Sequence, residues 1–235
     1  MPASTPPLNP SDVASSLTNA HHTASTTAGT SPPASGAYTG SIDDICACAR
    51  AAWPAELPSE AWYLAVIPAL LAFRRPELIA PVYEYAARVG EDPPQQLVAR
   101  IKDALMKLWT IIGIPPVISA VPHLARVSPS PSETAESMYT PLTLDAVESR
   151  GRGFMQTLYQ HNLAQSTGTW GVHEPDFLWL EERVIYGLFL ADHSLLGQVE
   201  TSVVVLAAMM CSGLLAPAEW HVRGMRRLRS RSDRG

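Results

Sequence analysis

The sequence predicts an all-α protein, and three observations support that class. No run of residues alternates between apolar and polar side chains for long enough to form a strand. Apolar residues recur at helical spacing, most clearly in one wide stripe within residues 95–112. Proline and glycine residues separate such stretches where helices normally begin and end. We therefore expect helices joined by short turns.

The first half of the sequence predicts five helices. Asp43 and Asp44 can cap a short helix that contains Cys46 and Cys48. The later helices are expected at residues 59–73, between Pro76 and Gly90, and at residues 95–112 and 117–127. Pro68 is expected to kink or shorten the helix at 59–73. A Pro/Ser-rich loop at 128–141 then links the two halves.

In the second half, Gly151 and Gly153 predict a break between residues 142–149 and a helix at 154–164. A polar turn is expected at 166–175, and Asp176 is a suitable N-cap for a helix at 177–191. The next helix is opened by Glu200, and Pro217 predicts a break before a basic helix.

Residues 1–40 differ from the rest because Ser, Thr, Pro and Ala dominate and no Lys or Arg precedes Arg50. Such a segment buries too little apolar surface to offset its ordering entropy, so we expect a disordered tail. The expected organisation is this tail, one all-α domain at 41–228 and a basic tail at 229–235. A mitochondrial transit peptide is the alternative for the Ser-rich segment, although it lacks the arginines of such peptides.

The composition limits the partners and the compartment. The chain is 46% hydrophobic and 17% charged with a net charge of −5, which favours neither nucleic acid nor an anionic membrane. The longest apolar run, at 203–216, is too short to span a bilayer. Three cysteines without metal-ligand spacing indicate a reducing compartment, and no secretory signal is recognisable. We expect a cytoplasmic protein without a metal or nucleotide cofactor.

The strongest candidate site lies between residues 183 and 228. An acid (Glu200), a thiol (Cys211) and an imidazole (His221) lie close in sequence there in an apolar setting, which is typical of a buried reactive site. Glu200 and Cys211 share a helix face but lie about 16 Å apart. Contact between Glu200 and His221 therefore requires a kink, a different helix crossing or a neighbouring subunit. We treat all three as candidate catalytic residues.

Each candidate also has an ordinary structural interpretation. Cys211 can be a packed core thiol, Glu200 can neutralise helix amides or pair with an arginine, and His221 can be a structural hydrogen-bonding residue. The candidates for the wall of a substrate pocket are Tyr186, His193 and Trp220. His193, which follows an aspartate, fits a turn equally well.

Short motifs in both halves carry a family resemblance. They are Ile101-Lys102-Asp103-Ala104-Leu105, Ile111-Ile112-Gly113-Ile114-Pro115, Tyr186-Gly187-Leu188-Phe189, Val199-Glu200-Thr201 and Trp220-His221-Val222-Arg223-Gly224. Over residues 60–228 they resemble the carboxymuconolactone decarboxylase and alkylhydroperoxidase D-like superfamily, most closely its fungal-type branch. The resemblance implies an all-helical bundle of two similar halves that assembles into trimers or hexamers. The characteristic Glu and His of the family would fall on Glu200 and His221.

One departure from the family pattern bears on the chemistry. Peroxidase members carry a Cys-x-x-Cys before the histidine, whereas this chain has only Cys211, with Leu214 three residues on. The usual dithiol cycle cannot run without the second cysteine. In this respect the chain resembles the decarboxylase-type members.

Three functional hypotheses follow. The preferred one is a lyase or isomerase that acts on a small lactone-like or polyketide-like molecule, with His221 as general acid/base and Glu200 orienting it. The second is a peroxide reductase that uses Cys211 with an external thiol. The third is a non-catalytic helical homo-oligomer. A homo-oligomer is expected because apolar runs such as residues 203–210 need more burial than one chain supplies.

Overall fold

The chain folds into helices and turns, with no β-strand in the part that the computed structural model describes, namely residues 40–90, 92–129, 139 and 141–232. The ten α-helices of this part are α1 (Ile42–Ala51), α2 (Tyr63–Ala72), α3 (Ile79–Val89), α4 (Pro94–Leu108), α5 (Ile114–Val127), α6 (Leu144–Tyr159), α7 (Asn162–Thr167), α8 (Glu174–Leu180), α9 (Gln198–Cys211) and α10 (Leu215–Ser232). A π-helix at Glu181–Leu190 continues α8. Short 3-10 turns occupy Ser59–Ala61, Pro76–Leu78 and Gly168–His173. The all-α prediction is confirmed.

Two helix ends in the first half lie where the sequence placed them, although the N-cap of α1 is Ser41 and Asp44 is its capping-box partner. Ser41 is the N-cap of α1, and its hydroxyl accepts from the backbone N–H of Asp44 while the Asp44 carboxylate accepts from the backbone N–H of Ser41. Gly90 ends α3 in the left-handed conformation, at φ 72°. This conformation costs a glycine little because it has no Cβ. Helix α4 ends at Leu108, four residues before the predicted end.

The first hydrophobic core surrounds α2. This helix is apolar on nearly every side, which is typical of a buried helix. It packs most extensively on α9 and also contacts α1 and α3 to α5. Its Pro68 lies within the helix and is buried, so the predicted shortening at Pro68 is wrong. The largest fully buried side chains of this core include Trp62, Tyr63, Leu64, Ile67, Leu71, Ile79, Leu97, Ile101 and Leu108.

The second core lies between α6, the π-helix and α10. Its buried side chains are Phe154, Met155, Leu158, Tyr186, Leu190, Ala191, Val205 and Leu228. Helix α9 contributes to both cores, because Val204 and Ala208 pack in the first and Val205 packs in the second. Helix α9 therefore joins the two halves of the fold.

Helix α6 and the π-helix cross at two glycines. A Cβ on Gly151 would lie 1.9 Å from the carbonyl oxygen of Glu182, and a Cβ on Gly187 would lie 2.5 Å from that of Val147. Only glycine permits such close contact between two backbones. The predicted break at Gly151 and Gly153 is wrong, because α6 runs unbroken from Leu144 to Tyr159. Gly151 allows α6 and the π-helix to come into close contact, and α6 continues through it.

The structure corrects the expected positions of a turn, an N-cap and a helix break in the second half. The predicted polar turn at 166–175 is largely helical, and Asp176 lies in the first turn of α8 while His173 occupies the N-cap position. Helix α10 begins at Leu215, so Pro217 lies in its first turn, where a missing N–H is tolerated. The same helix runs to Ser232, beyond the expected domain end at residue 228.

The expected N-terminal tail, up to residue 39, lies outside the described residues, as do residues 130–138 of the predicted loop and the last three residues. In the helices that are described, none combines the length and the apolar character that crossing a bilayer requires.

Candidate active site

A cavity of about 350 Å³ lies where α6, the π-helix, α9 and α10 meet. Ligand sites in proteins commonly enclose about 300–1,000 Å³. Its lining is mainly apolar and aromatic, with a few polar groups. The residues that line it are Thr110, Ile111, Met155, Tyr159, Leu163, Thr167, Trp170, Glu181, Ile185, Tyr186, Leu190, Met209, Leu214, Pro217, Trp220 and His221.

The π-helix supplies four of these residues: Glu181, Ile185, Tyr186 and Leu190. In an ordinary α-helix of 3.6 residues per turn, positions spaced in this way spread over about half of the circumference. The wider π turn, seen in the bond from the N–H of Ala191 to the carbonyl of Tyr186 five residues earlier, brings them to one side. The π-helix is therefore what places an acid and a phenol on the same cavity wall.

His221 lies on α10 and is only 5% exposed. Its Nε2 lies 3.4 Å from the hydroxyl of Tyr159, and its Nδ1 has no hydrogen-bond partner among the described residues. Burial lowers the pKa of His221 from 6.5 to about 4, because a buried imidazolium loses its hydration. The imidazole is therefore neutral at pH 7 and retains the capacity to accept a proton.

Two tyrosines connect His221 with the π-helix. The hydroxyls of Tyr159 and Tyr186 lie 2.5 Å apart. Burial raises the pKa of Tyr159 to about 12 and that of Tyr186 well above its usual value, and the Glu181 carboxylate contributes to both shifts. Both phenols are protonated at neutral pH, so they form a neutral hydrogen-bonding pair beside the imidazole.

Glu181 is the acid of the cavity. Within the described residues its carboxyl forms no hydrogen bond or ion pair, and burial raises its pKa above 4.5. A carboxyl and an imidazole on one cavity whose pKa values are shifted toward their neutral forms can act as proton donor and proton acceptor. This arrangement is suited to general acid–base chemistry.

Glu200 lies elsewhere, in a buried network with three residues of the first half. Its carboxylate accepts from Nη2 of Arg100 at 2.6 Å and from the backbone N–H of Gly197 at 2.9 Å. Nε of Arg100 donates to the Tyr63 hydroxyl, which donates to Asp92. Glu200 is absent from the cavity lining, so the structure does not bring it together with His221.

Of the other predicted site residues, two line the cavity and two lie outside its lining. Tyr186 and Trp220 line the cavity, whereas Cys211 and His193 do not. Cys211 ends α9, and burial raises its pKa above 9.0, which opposes formation of the reactive thiolate. His193 packs edge-on against Phe154, with ring centroids 4.6 Å apart.

His193 lies beside a second charge network, which joins the two halves. Lys107, with no exposed surface, donates to both oxygens of Asp103 and to the backbone carbonyl of Asp192. The Asp192 carboxylate pairs with Arg150 at 3.1 Å. Burial lowers the pKa of His193 to about 4, and the Lys107 charge adds to that shift.

Among the cavity residues that the sequence did not indicate as functional are Glu181 and Tyr159. Glu181 and Glu182 have the pattern of acids near a helix start, and Tyr159 has that of a core aromatic. The one available signal was the spacing of Glu181, Ile185 and Tyr186, at positions i, i+4 and i+5. This spacing indicates a shared face only if the segment is known to form a π turn.

No metal centre is apparent in the described part of the chain, where no group of three or more His, Cys, Asp and Glu side chains could hold an ion. Comparison of the chain with protein-family models, with curated proteins and with solved structures finds no match.

Proposed function

We propose that the chain is an enzyme that uses acid–base chemistry to isomerise or decarboxylate a small carbonyl compound, such as a lactone or a polyketide-like molecule, in this cavity. The observation that carries the proposal is that a neutral, proton-accepting His221 and Glu181, a carboxyl whose pKa burial raises, line one apolar cavity. The family resemblance supports the same class of reaction, with Glu181 in place of Glu200 as the acid.

The proposed step is enolisation. Neutral His221 removes the proton on the carbon next to the substrate carbonyl, and Glu181 gives its proton to the carbonyl oxygen. Return of a proton from the imidazolium to a different carbon gives the isomer, while Glu181 recovers its own proton from the enol. In a β-keto acid the C–C bond to the carboxylate breaks, carbon dioxide leaves, and Glu181 protonates the enolate oxygen. A proton from solvent then adds to the carbon that lost the carboxylate, while Glu181 recovers its own proton from the enol, so that one solvent proton is consumed for each ketone formed.

The two tyrosines orient the base. Tyr159 lies between the imidazole of His221 and the hydroxyl of Tyr186, and its phenol fixes the direction of Nε2. A positioned hydrogen-bond partner of this kind selects one tautomer of a histidine. Thr110 and Thr167 also line the cavity and offer hydroxyl groups to a polar substrate.

The proposal can be tested without knowledge of the natural substrate, because an enolising enzyme exchanges α-protons with solvent. We would incubate a panel of cyclic ketones and lactones in D₂O with the protein and follow deuterium incorporation by NMR. The wild-type protein is expected to accelerate exchange of at least one compound, and His221→Gln should lower that rate by roughly 10²-fold or more. Glu181→Gln should lower the rate by a smaller factor, because an amide still donates a hydrogen bond.

Matched controls are His173→Gln and Glu56→Gln, which make the same changes at exposed positions away from the cavity. Both should exchange at the wild-type rate. Full activity of the His221→Gln variant, or exchange no faster than in buffer for the whole panel with the wild-type protein, would overturn the proposal.

A further inference from the structure

A second cavity of about 340 Å³ adjoins the first. Tyr159, Trp170 and Trp220 line both, so the two form an inner and an outer chamber that share walls. Trp220 is 47% exposed, which places the outer chamber toward solvent. The other residues of the outer chamber are Asn162, Thr169, Arg223 and Arg227.

The outer chamber differs from the inner one in charge. Its walls carry two arginines together with an amide and a hydroxyl, and none of its described lining residues is acidic. The inner chamber carries Glu181 and no basic group other than His221, which is neutral. A molecule that occupies both chambers therefore meets a mainly apolar environment without a cationic side chain at one end and two arginines at the other.

The two arginines are held in different ways. Arg227 donates from Nη1 to the backbone carbonyls of Leu158, at 2.5 Å, and Tyr159, at 3.5 Å, and these contacts hold its guanidinium at the chamber wall. Arg223 pairs with Glu219 one turn earlier on α10, and both side chains are more than half exposed. An exposed pair of this kind is worth little, so an anion in the chamber can compete for Arg223.

We propose that the outer chamber binds the anionic group of an amphipathic organic acid, whose apolar body extends into the inner chamber toward His221. Arginine suits this role because its planar guanidinium binds carboxylates, sulfonates and phosphates through paired hydrogen bonds. The inference rests on the proposed function, since it assigns the remote part of the same substrate. It narrows the substrate class from carbonyl compounds in general to those that carry a negative charge at the end away from the reacting carbon.

Two fluorescent probes that differ by one anionic group provide the test. Anilinonaphthalene sulfonate and phenylnaphthylamine have the same apolar body, and only the first carries a sulfonate. Their Kd values would be measured by fluorescence titration on the full chain. We expect the wild-type protein to bind the sulfonate roughly tenfold more tightly than the neutral probe. Arg223→Gln and Arg227→Gln should each lower this preference by about threefold, and the double variant should abolish it.

The control is Arg88→Gln, which removes the same charge from an exposed arginine paired with Asp43 on the other half of the fold. It should keep the wild-type preference, which separates a local site from a general effect of net charge. Leu163→Trp, which narrows the inner chamber, should weaken both probes together. If Arg227→Gln lowers stability through the loss of its backbone contacts, Arg223→Gln still provides the test. Arg223 is exposed, so its replacement should not impair folding.

An equal affinity of the wild-type protein for both probes would overturn the anion site, as would an unchanged preference in the Arg223→Gln variant. Unchanged binding of both probes in Leu163→Trp would place them outside the inner chamber and overturn it as well. None of these results affects the deuterium-exchange test of His221. Conversely, full exchange activity of His221→Gln would overturn the proposed function while the probe preference still reports on the outer chamber.

Discussion

The buried charge networks and the cavity groups of this protein differ in how completely their polar atoms are bonded. In the networks, Lys107 has three acceptors within 3.0 Å, and Glu200 accepts from a guanidinium and a backbone amide. In the cavity, His221 has one contact at 3.4 Å, and Glu181 has none with a described residue. Satisfied groups hold the fold together, whereas unsatisfied groups beside a cavity remain available to a ligand.

The difference separates two residues that look alike in sequence. Glu200 and Glu181 both lie near the start of a helical segment in the second half. Glu200 is bonded to Arg100, from a part of the chain a hundred residues earlier. Glu181 faces an apolar cavity and has a raised pKa. The first acid is therefore held in a buried ion pair, whereas the second faces the cavity without such a partner among the described residues.

The largest expected effect is on the network around Lys107. Lys107→Ala leaves Asp103 buried without its cation, which should lower the free energy of unfolding by about 3–5 kcal/mol. Urea denaturation measures the loss. Lys102→Ala, an exposed lysine on the same helix, should change stability by less than about 0.5 kcal/mol. Similar values for the two variants would contradict a structural role for the network.

The second-largest expected effect is a difference between Glu200→Gln and Glu181→Gln in stability and activity. Glu200→Gln removes the charge that Arg100 faces, so we expect a stability loss of about 2 kcal/mol at pH 7 without loss of exchange activity by the folded protein. Glu181→Gln should leave stability within about 1 kcal/mol but reduce activity. Thermal unfolding and deuterium exchange, measured on both variants, test this crossed pattern. A Glu200→Gln protein that is stable but inactive would reverse the assignment.

The smallest effect is the pH dependence of stability. The pKa of His221 is about 4 in the folded protein and 6.5 in the unfolded chain, so the unfolded chain binds more protons between these values. Stability should therefore fall as pH falls through this window. His221→Gln should reduce the fall between pH 6.5 and about 4.5 by roughly 2 kcal/mol, while His193 maintains part of it. Denaturation curves of both proteins that stay parallel over this range would show that His221 is not buried as described.

Short-range signals in the sequence were sufficient for much of the fold. The capping of α1 by Ser41 and Asp44 and the end of α3 at Gly90 depend on residues within one turn of each other. The same holds for the all-α class, which depends on periodicity alone. His221, Tyr186 and Trp220, which the sequence offered as site candidates, all line the cavity.

What the sequence did not reveal depends on contacts between distant elements. Gly151 looks like a helix break until the backbone of the π-helix is placed against it. The sequence allowed Glu200 to pair with an arginine, but no local pattern indicated Arg100, which lies a hundred residues earlier. The role of Glu181 required the wide π turn, for which no residue pattern is known to us.

The position of α9 between the two cores has a consequence for synthesis of the protein. Helix α2 packs most extensively on α9, which the ribosome produces more than a hundred residues later. Chains grow by about 5–20 residues per second, so several seconds or longer pass between the synthesis of α2 and that of α9. The first core lacks α9 during this time. During that interval α2 exposes a surface that attracts other chains. We expect the newborn protein to depend on chaperones until residue 211 has left the exit tunnel.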